Sequence, residues 1–85
     1  MSGEFFQYQT RGAAFVPLAM RCQTRVLGFD YCPDVIPSRS QLSSAQSFLS
    51  RYPNAKMIFV HQGEKTAEKI KERVYRMPLE NLLFF

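Results

Sequence analysis

The sequence predicts a small α/β domain with a mixed sheet. An N-terminal β-hairpin comes first, then a helix–strand unit, then short C-terminal elements. Three observations carry this prediction. Residues 4–10 and 13–21 are aromatic and apolar runs separated by Arg11-Gly12, the pattern of a hairpin. Leu42, Ala45, Leu49 and Tyr52 recur at helical spacing and stop before Pro53. The run Ala55-Lys56-Met57-Ile58-Phe59-Val60-His61 then reads as a central strand. A helix, a tight turn and an apolar strand make half of an α/β crossover, so this strand is expected parallel to an earlier one.

With 85 residues the chain has room for one domain, 1–85, either a whole protein or a fragment of a larger one. A chain this short buries only about 60–65% of its unfolded surface, so the core is small. Eight Phe and four Tyr exclude a disordered composition. Phe5, Phe6, Tyr8, Phe84 and Phe85 gather at the two ends. Both ends are therefore expected to pack, on the domain's own core or on surface from elsewhere. The net charge of +4 permits contact with nucleic acid but does not demand it, because the positive residues form no single block.

Cys22, Cys32 and His61 cannot complete a four-ligand zinc site. No secretory signal is visible, so free thiols in the cytoplasm are expected. No apolar stretch approaches the roughly 20 residues that span a bilayer. A glycine-rich phosphate loop is also missing, and no cofactor is expected.

In chain order, residues 4–10 show partial alternation, with Phe6 and Tyr8 on one face and Phe5 and Gln7 on the other. Gly12 would supply a positive φ if the turn needs one. Residues 13–21, Ala-Ala-Phe-Val-Pro-Leu-Ala-Met-Arg, read as a strand buried on both faces. Pro17 within it fits only where its position faces outward or at a bulge. Residues 22–29 extend this strand or form a third, with Val26 and Leu27 in the core. Residues 30–40, with Pro33 and Pro37, read as a loop. Ser38 or Ser40 would cap a helix over about 40–51. Residues 64–73 alternate acid and base and read as a short solvated helix with Ala67, Ile70 and Val74 inward. Its Glu68–Lys71 and Glu72–Arg76 pairs would contribute about 0.3–0.5 kcal/mol each. Residues 73–77 favour a strand, and Pro78 would start a last helix with Leu79, Leu82 and Leu83 inward.

This order of segments resembles a family: the restriction-endonuclease-like C-terminal domain of uncharacterised bacterial and archaeal AAA-type ATPases. The matching residues are Glu4-Phe5-Phe6, Gly12, Val16-Pro17-Leu18, and Leu42 to Leu49 with Phe48. Tyr52-Pro53-Asn54-Ala55-Lys56, Ile58-Phe59-Val60 and Met77-Pro78-Leu79 complete the set, which covers nearly the whole chain. The resemblance implies a nuclease strand pair with an Asp on one strand and a Glu-x-Lys on the next. The carboxylates would hold Mg²⁺, and the Lys would steady the attacking water. Here the Asp position is Phe6, the Glu position Ala19 and the Lys position Arg21. No acidic residue lies between Glu4 and Asp30, so no shift of alignment restores the ligands. The expectation is a non-catalytic nuclease-like module that works through protein contact, as a homo-oligomer or with a larger ATPase. The alternative is a nucleic-acid-binding protein, or a metal-dependent nuclease whose site has moved.

Other candidates weigh less. Glu4 reads as an exposed strand start. Asp30 and Asp34 read as turn residues bonding their own backbone rather than as cation ligands. Cys32 with His61 reads as a buried thiol and a strand-end histidine rather than a catalytic pair. Lys65, Lys69, Lys71, Arg73 and Arg76 are interleaved with three glutamates and read as a solvated face. Arg21, Arg25 and Arg39 are the candidate nucleic-acid contacts, provided that folding brings them together.

Overall fold

The computed structural model describes residues 3–34, 36–62 and 68–80. Six strands form one mixed sheet: β1 (Glu4–Gln9), β2 (Phe15–Cys22), β3 (Arg25–Tyr31), β4 (Ala55–His61), β5 (Glu68–Lys71) and β6 (Val74–Pro78). Among the described residues one α-helix, α1 (Arg39–Arg51), connects β3 to β4. The strand order is β1-β2-β3-β4-β6-β5. The first three strands form an antiparallel meander. The sheet then turns parallel from β3 to β4 and from β4 to β6, and closes on the antiparallel β5. The predicted α/β class, the N-terminal hairpin and the parallel central strand are all present.

The β1–β2 register shows what Pro17 does. Phe6 pairs with Ala19 and Tyr8 with Val16, so β2 spends one residue more than β1 over this interval. The resulting bulge lies at Pro17 and Leu18, where a missing ladder donor is tolerated. It also explains why Val16 and Ala19, three apart, are both fully buried on the same face.

The register then aligns a row across that face: Phe6, Ala19, Gly28, Met57 and Val74. The middle of the row is small, and α1 lies in the trough. A Cβ on Gly28 would stand 2.7 Å from Phe48 Cε2 and 3.0 Å from Met57 Sδ, so only glycine lets the helix approach this closely. Phe48, Ala45 and Leu49 of α1 join Val16, Val26, Met57, Phe59 and Val74 in the main core. Ser38 caps the helix in a capping box, its side chain bonding Gln41 N while the Gln41 side chain returns to Ser38 N. Ser44 Oγ accepts from Phe15 N, and Tyr8 Oη meets Ser47 Oγ at 2.7 Å, which ties the helix flank to the first hairpin.

Several expectations are corrected. The strand over 13–21 is buried on one face only, with Leu18 and Phe15 exposed on the other. The positive φ of the first turn is carried by Ala13 (76°), and no glycine among the described residues has one. Asp30 belongs to β3 rather than to the following loop. The helix expected over 64–73 is, at residues 68–71, the edge strand β5. Its charges pair across a hairpin: Glu68 lies opposite Arg76 in register, with 3.5 Å between Oε1 and Nη1. Lys69 bridges Glu72 within the turn at 3.4 Å. Acid–base alternation suits a two-stranded ribbon as well as a helix, and pairing with β6 decides between them. Pro78 ends β6 rather than starting a helix, and Leu79, expected inward, is exposed. Gly63, Glu64, Lys65 and Ala67, and Leu82 and Leu83, also expected inward, with Phe84 and Phe85, lie outside the described residues. Among the described residues no helix is long and apolar enough to cross a membrane.

Candidate functional site

The three positions singled out by the family resemblance do converge. Phe6 and Ala19 face one another across β1 and β2, and Arg21 lies two residues beyond Ala19 on the same side. The Arg21 guanidinium stands 5.6 Å from the Phe6 ring centroid and 5.6 Å from that of Tyr52, the C-cap of α1. Arg51 approaches the same Tyr52 ring at 5.1 Å. Tyr52 also packs on Phe48, Tyr8 and Phe6 at centroid distances of 5.2–6.1 Å. Where the resemblance places a carboxylate pair and a lysine, the chain has an aromatic cluster topped by two arginines. Each such cation–ring contact is worth about 0.5–1 kcal/mol at an exposed position.

Ala19 is fully buried beside Gly28, beneath Phe48. Its small size is a condition of the helix packing. A carboxylate there would be desolvated under an apolar helix, at a cost of several kcal/mol unless paired or coordinated. Glu4 lies opposite Arg21 in register and is exposed. Among the described residues no group of three or more His, Cys, Asp or Glu could hold a metal ion.

The three arginines proposed for nucleic acid do not form one patch. Arg21 and Arg25 flank the β2–β3 turn. Arg39 opens α1 at the other end of the sheet, where Gln41 Nε2 donates to Tyr31 O at 2.8 Å and to Asp30 Oδ2 at 3.4 Å. Arg51, which no spacing in the sequence links to Arg21, is its actual neighbour across Tyr52. Asp30 also accepts from Tyr31 N through Oδ1, as expected of a residue bonding its own backbone. The backbone oxygen of Asp34 takes the Cys32 thiol at 3.5 Å and Arg76 Nε at 3.1 Å. Cys32 and His61 are both buried at the ends of β3 and β4, and neither Cys22 nor Cys32 is in a disulfide.

Two basic residues of the sequence's "solvated face" are structural. Arg76 is buried, held by Asp34 O and Glu68. Arg73, in the β5–β6 turn with φ 65°, reaches back to the end of α1. Its Nε donates to Ala55 O, and its Nη2 to Leu49 O and Tyr52 O, at 2.9–3.0 Å. The acid–base alternation concealed both roles.

The sheet face away from α1 is the other candidate. Register aligns two rows there: Phe5, Met20, Leu27, Lys56, and Leu18, Phe29, Ile58, Tyr75. Towards β4 and β6 this face closes into a second small core of Ile58, Val60 and Met77. Over β1 and β2 it stays open, with Phe5 67% and Leu18 45% exposed. The groove encloses about 1120 Å³, and Gln23, Arg25, Asn54 and Lys56 contribute polar groups to its lining. That exceeds the about 300–1,000 Å³ of a small-ligand cleft, and the shape is that of a surface rather than a pocket. A polar-rimmed apolar patch of this kind marks an interaction site. No family model, no curated protein and no solved structure matches the chain.

Proposed function

We propose that this chain is a non-catalytic, restriction-endonuclease-like module that acts in the cytoplasm through protein contact, with a second copy or a larger AAA-type ATPase as its partner. The observation that carries this reading is the uncovered apolar surface over β1 and β2, centred on Phe5 and Leu18. The helix covers one face of the sheet, and nothing described covers this part of the other. The hairpin and the helix–strand unit support this reading, and Phe6 and Ala19 offer no ligand atoms where the resemblance places carboxylates. A fold kept while its metal ligands are replaced by packing residues fits a binding role.

The test is light scattering on the wild type and on Leu18→Lys, with a DNA-cleavage assay in Mg²⁺ and Mn²⁺ alongside. The expected result is a dimer or larger species that Leu18→Lys weakens, and no metal-dependent cleavage. Cleavage abolished by Glu4→Ala or Asp30→Ala would overturn the reading.

A second reading is favoured by the Arg21–Tyr52–Arg51 stack, since exposed arginines around an aromatic ring suit a single-stranded polyanion. It predicts oligonucleotide binding that falls steeply with salt and is lost in the Arg21→Ala, Arg51→Ala double variant.

A further inference from the structure

The two edges of the sheet are built differently. On one side β5 is four residues long, carries Lys69 and Lys71, and is bulged: from Lys69 to Lys71 it spends two residues while β6 spends one. Short length, lysines and a bulge are the usual protections against pairing with another chain. On the other side β1 has none of them. It runs six residues, Glu-Phe-Phe-Gln-Tyr-Gln, without proline or lysine, and the bulge of that hairpin lies in β2, which leaves β1 regular. Among the described residues no strand pairs with its outer side.

From this contrast we infer that β1 pairs antiparallel with β1 of a second copy of this chain, joining two six-stranded sheets edge to edge. The inference deepens the self-association part of the function proposed above and assigns it a surface.

The sequence of β1 selects the register. Residues directly opposite in an antiparallel pair must share a face. A two-fold axis at Gln7 meets this condition, with Gln7 opposite its own copy, Phe6 opposite Tyr8 and Phe5 opposite Gln9. Phe6 and Tyr8 already lie on the helix face and pack on Tyr52. The pairing therefore adds two aromatic cross-strand contacts, each worth about 0.2–1 kcal/mol over alanine. No like charges fall opposite one another, because the only charge of β1, Glu4, lies at its end. The flank of the helix towards this hairpin carries the serines Ser44 and Ser47, both engaged with β1 or β2 groups. The partner is a second copy rather than an unrelated peptide because the strand is complementary to itself about that axis. The joined sheet would also carry both copies of the exposed Phe5 on one continuous face, each opposite Gln9 of the other copy, extending the apolar surface described above.

The decisive experiment is cross-linking of Gln7→Cys in a Cys22→Ser background, with Lys69→Cys as the control on the protected edge. Gln7 and Lys69 are both exposed, so neither change touches the core. Opposed Cα atoms about 4.5–5.5 Å apart lie within disulfide range. Copper phenanthroline is expected to convert Gln7→Cys to a covalent dimer and to leave Lys69→Cys monomeric. Gln7→Lys places two charges on the axis and is expected to weaken dimerisation about tenfold or more. If the wild type dimerises but Gln7→Cys does not cross-link and Gln7→Lys still dimerises, the edge proposal falls and contact through the open face survives. If the wild type is monomeric at its highest soluble concentration, the edge proposal and the self-association reading fall together, and docking on another protein remains.

Discussion

Arg73 offers the sharpest test of the structural reasoning, because the sequence and the fold assign it opposite roles. Among alternating charges it reads as a solvated cation. In the fold its guanidinium bonds Leu49 O and Tyr52 O at the end of α1 and Ala55 O at the start of β4. Leu49 O belongs to the last turn of the helix, whose carbonyls have no intrahelical donor, and Tyr52 O is the C-cap carbonyl, which also accepts from Ala55 N. The positive charge also sits at the negative end of the helix dipole, worth about 0.3–1 kcal/mol. A hydrogen bond from a charged donor contributes about 1.5–3 kcal/mol net when isolated. Three from one half-buried side chain are not independent, so Arg73→Met is expected to cost about 2–4 kcal/mol in total. A domain of this size has about 4–13 kcal/mol of stability. The loss should therefore lower Tm by about 10–25 °C. Arg73→Lys keeps the charge but loses the fork and should fall between. Thermal and urea unfolding followed by circular dichroism measures both. If Arg73→Met stays within about 0.5 kcal/mol of wild type, the range expected of an exposed residue, the capping role is refuted.

Gly28→Ala is expected to destabilise by about 1–3 kcal/mol, since its Cβ would press on Phe48 and Met57; urea midpoints report it. Ser38→Ala removes the side-chain half of the capping box and should cost about 1 kcal/mol in the same assay. Ala13→Gly relieves a φ of 76° and should raise stability by up to about 1 kcal/mol, seen as a higher Tm with an unchanged spectrum. Tyr8→Phe deletes the Ser47 bond while keeping the ring edge-to-face with Phe48, and should cost about 0.5–1.5 kcal/mol by urea unfolding.

The elements that were legible in the chain are those with strong local signals. Helical spacing from Leu42 to Leu49, the serine cap and Pro53 placed α1 to within a residue at its start and at its end. The run 55–61 matched β4 at both ends. Charge alternation over 64–73 misled, because residues three or four apart on a helix and residues facing each other on a ribbon both pair opposite charges. Only the ladder from Glu68 to Arg76 distinguishes them. The long-range partners of arginine were equally hidden: Arg21 meets Arg51 across Tyr52, and Arg73 spans 24 residues to Leu49.

The residue types alone determined that Phe6, Ala19 and Arg21 carry no carboxylate pair, since side-chain chemistry needs no coordinates. They also settled the α/β class, because hydrophobic period follows from backbone geometry. The tertiary structure decided what surrounds these three positions. Register sets Ala19 beside Gly28 under Phe48, and it sets Arg21 over Phe6 and Tyr52. It decided as well which sheet face α1 covers and which edge is left unprotected. Those outcomes depend on a one-residue bulge at Pro17 and on pairings between segments far apart in the chain, and local composition does not encode either.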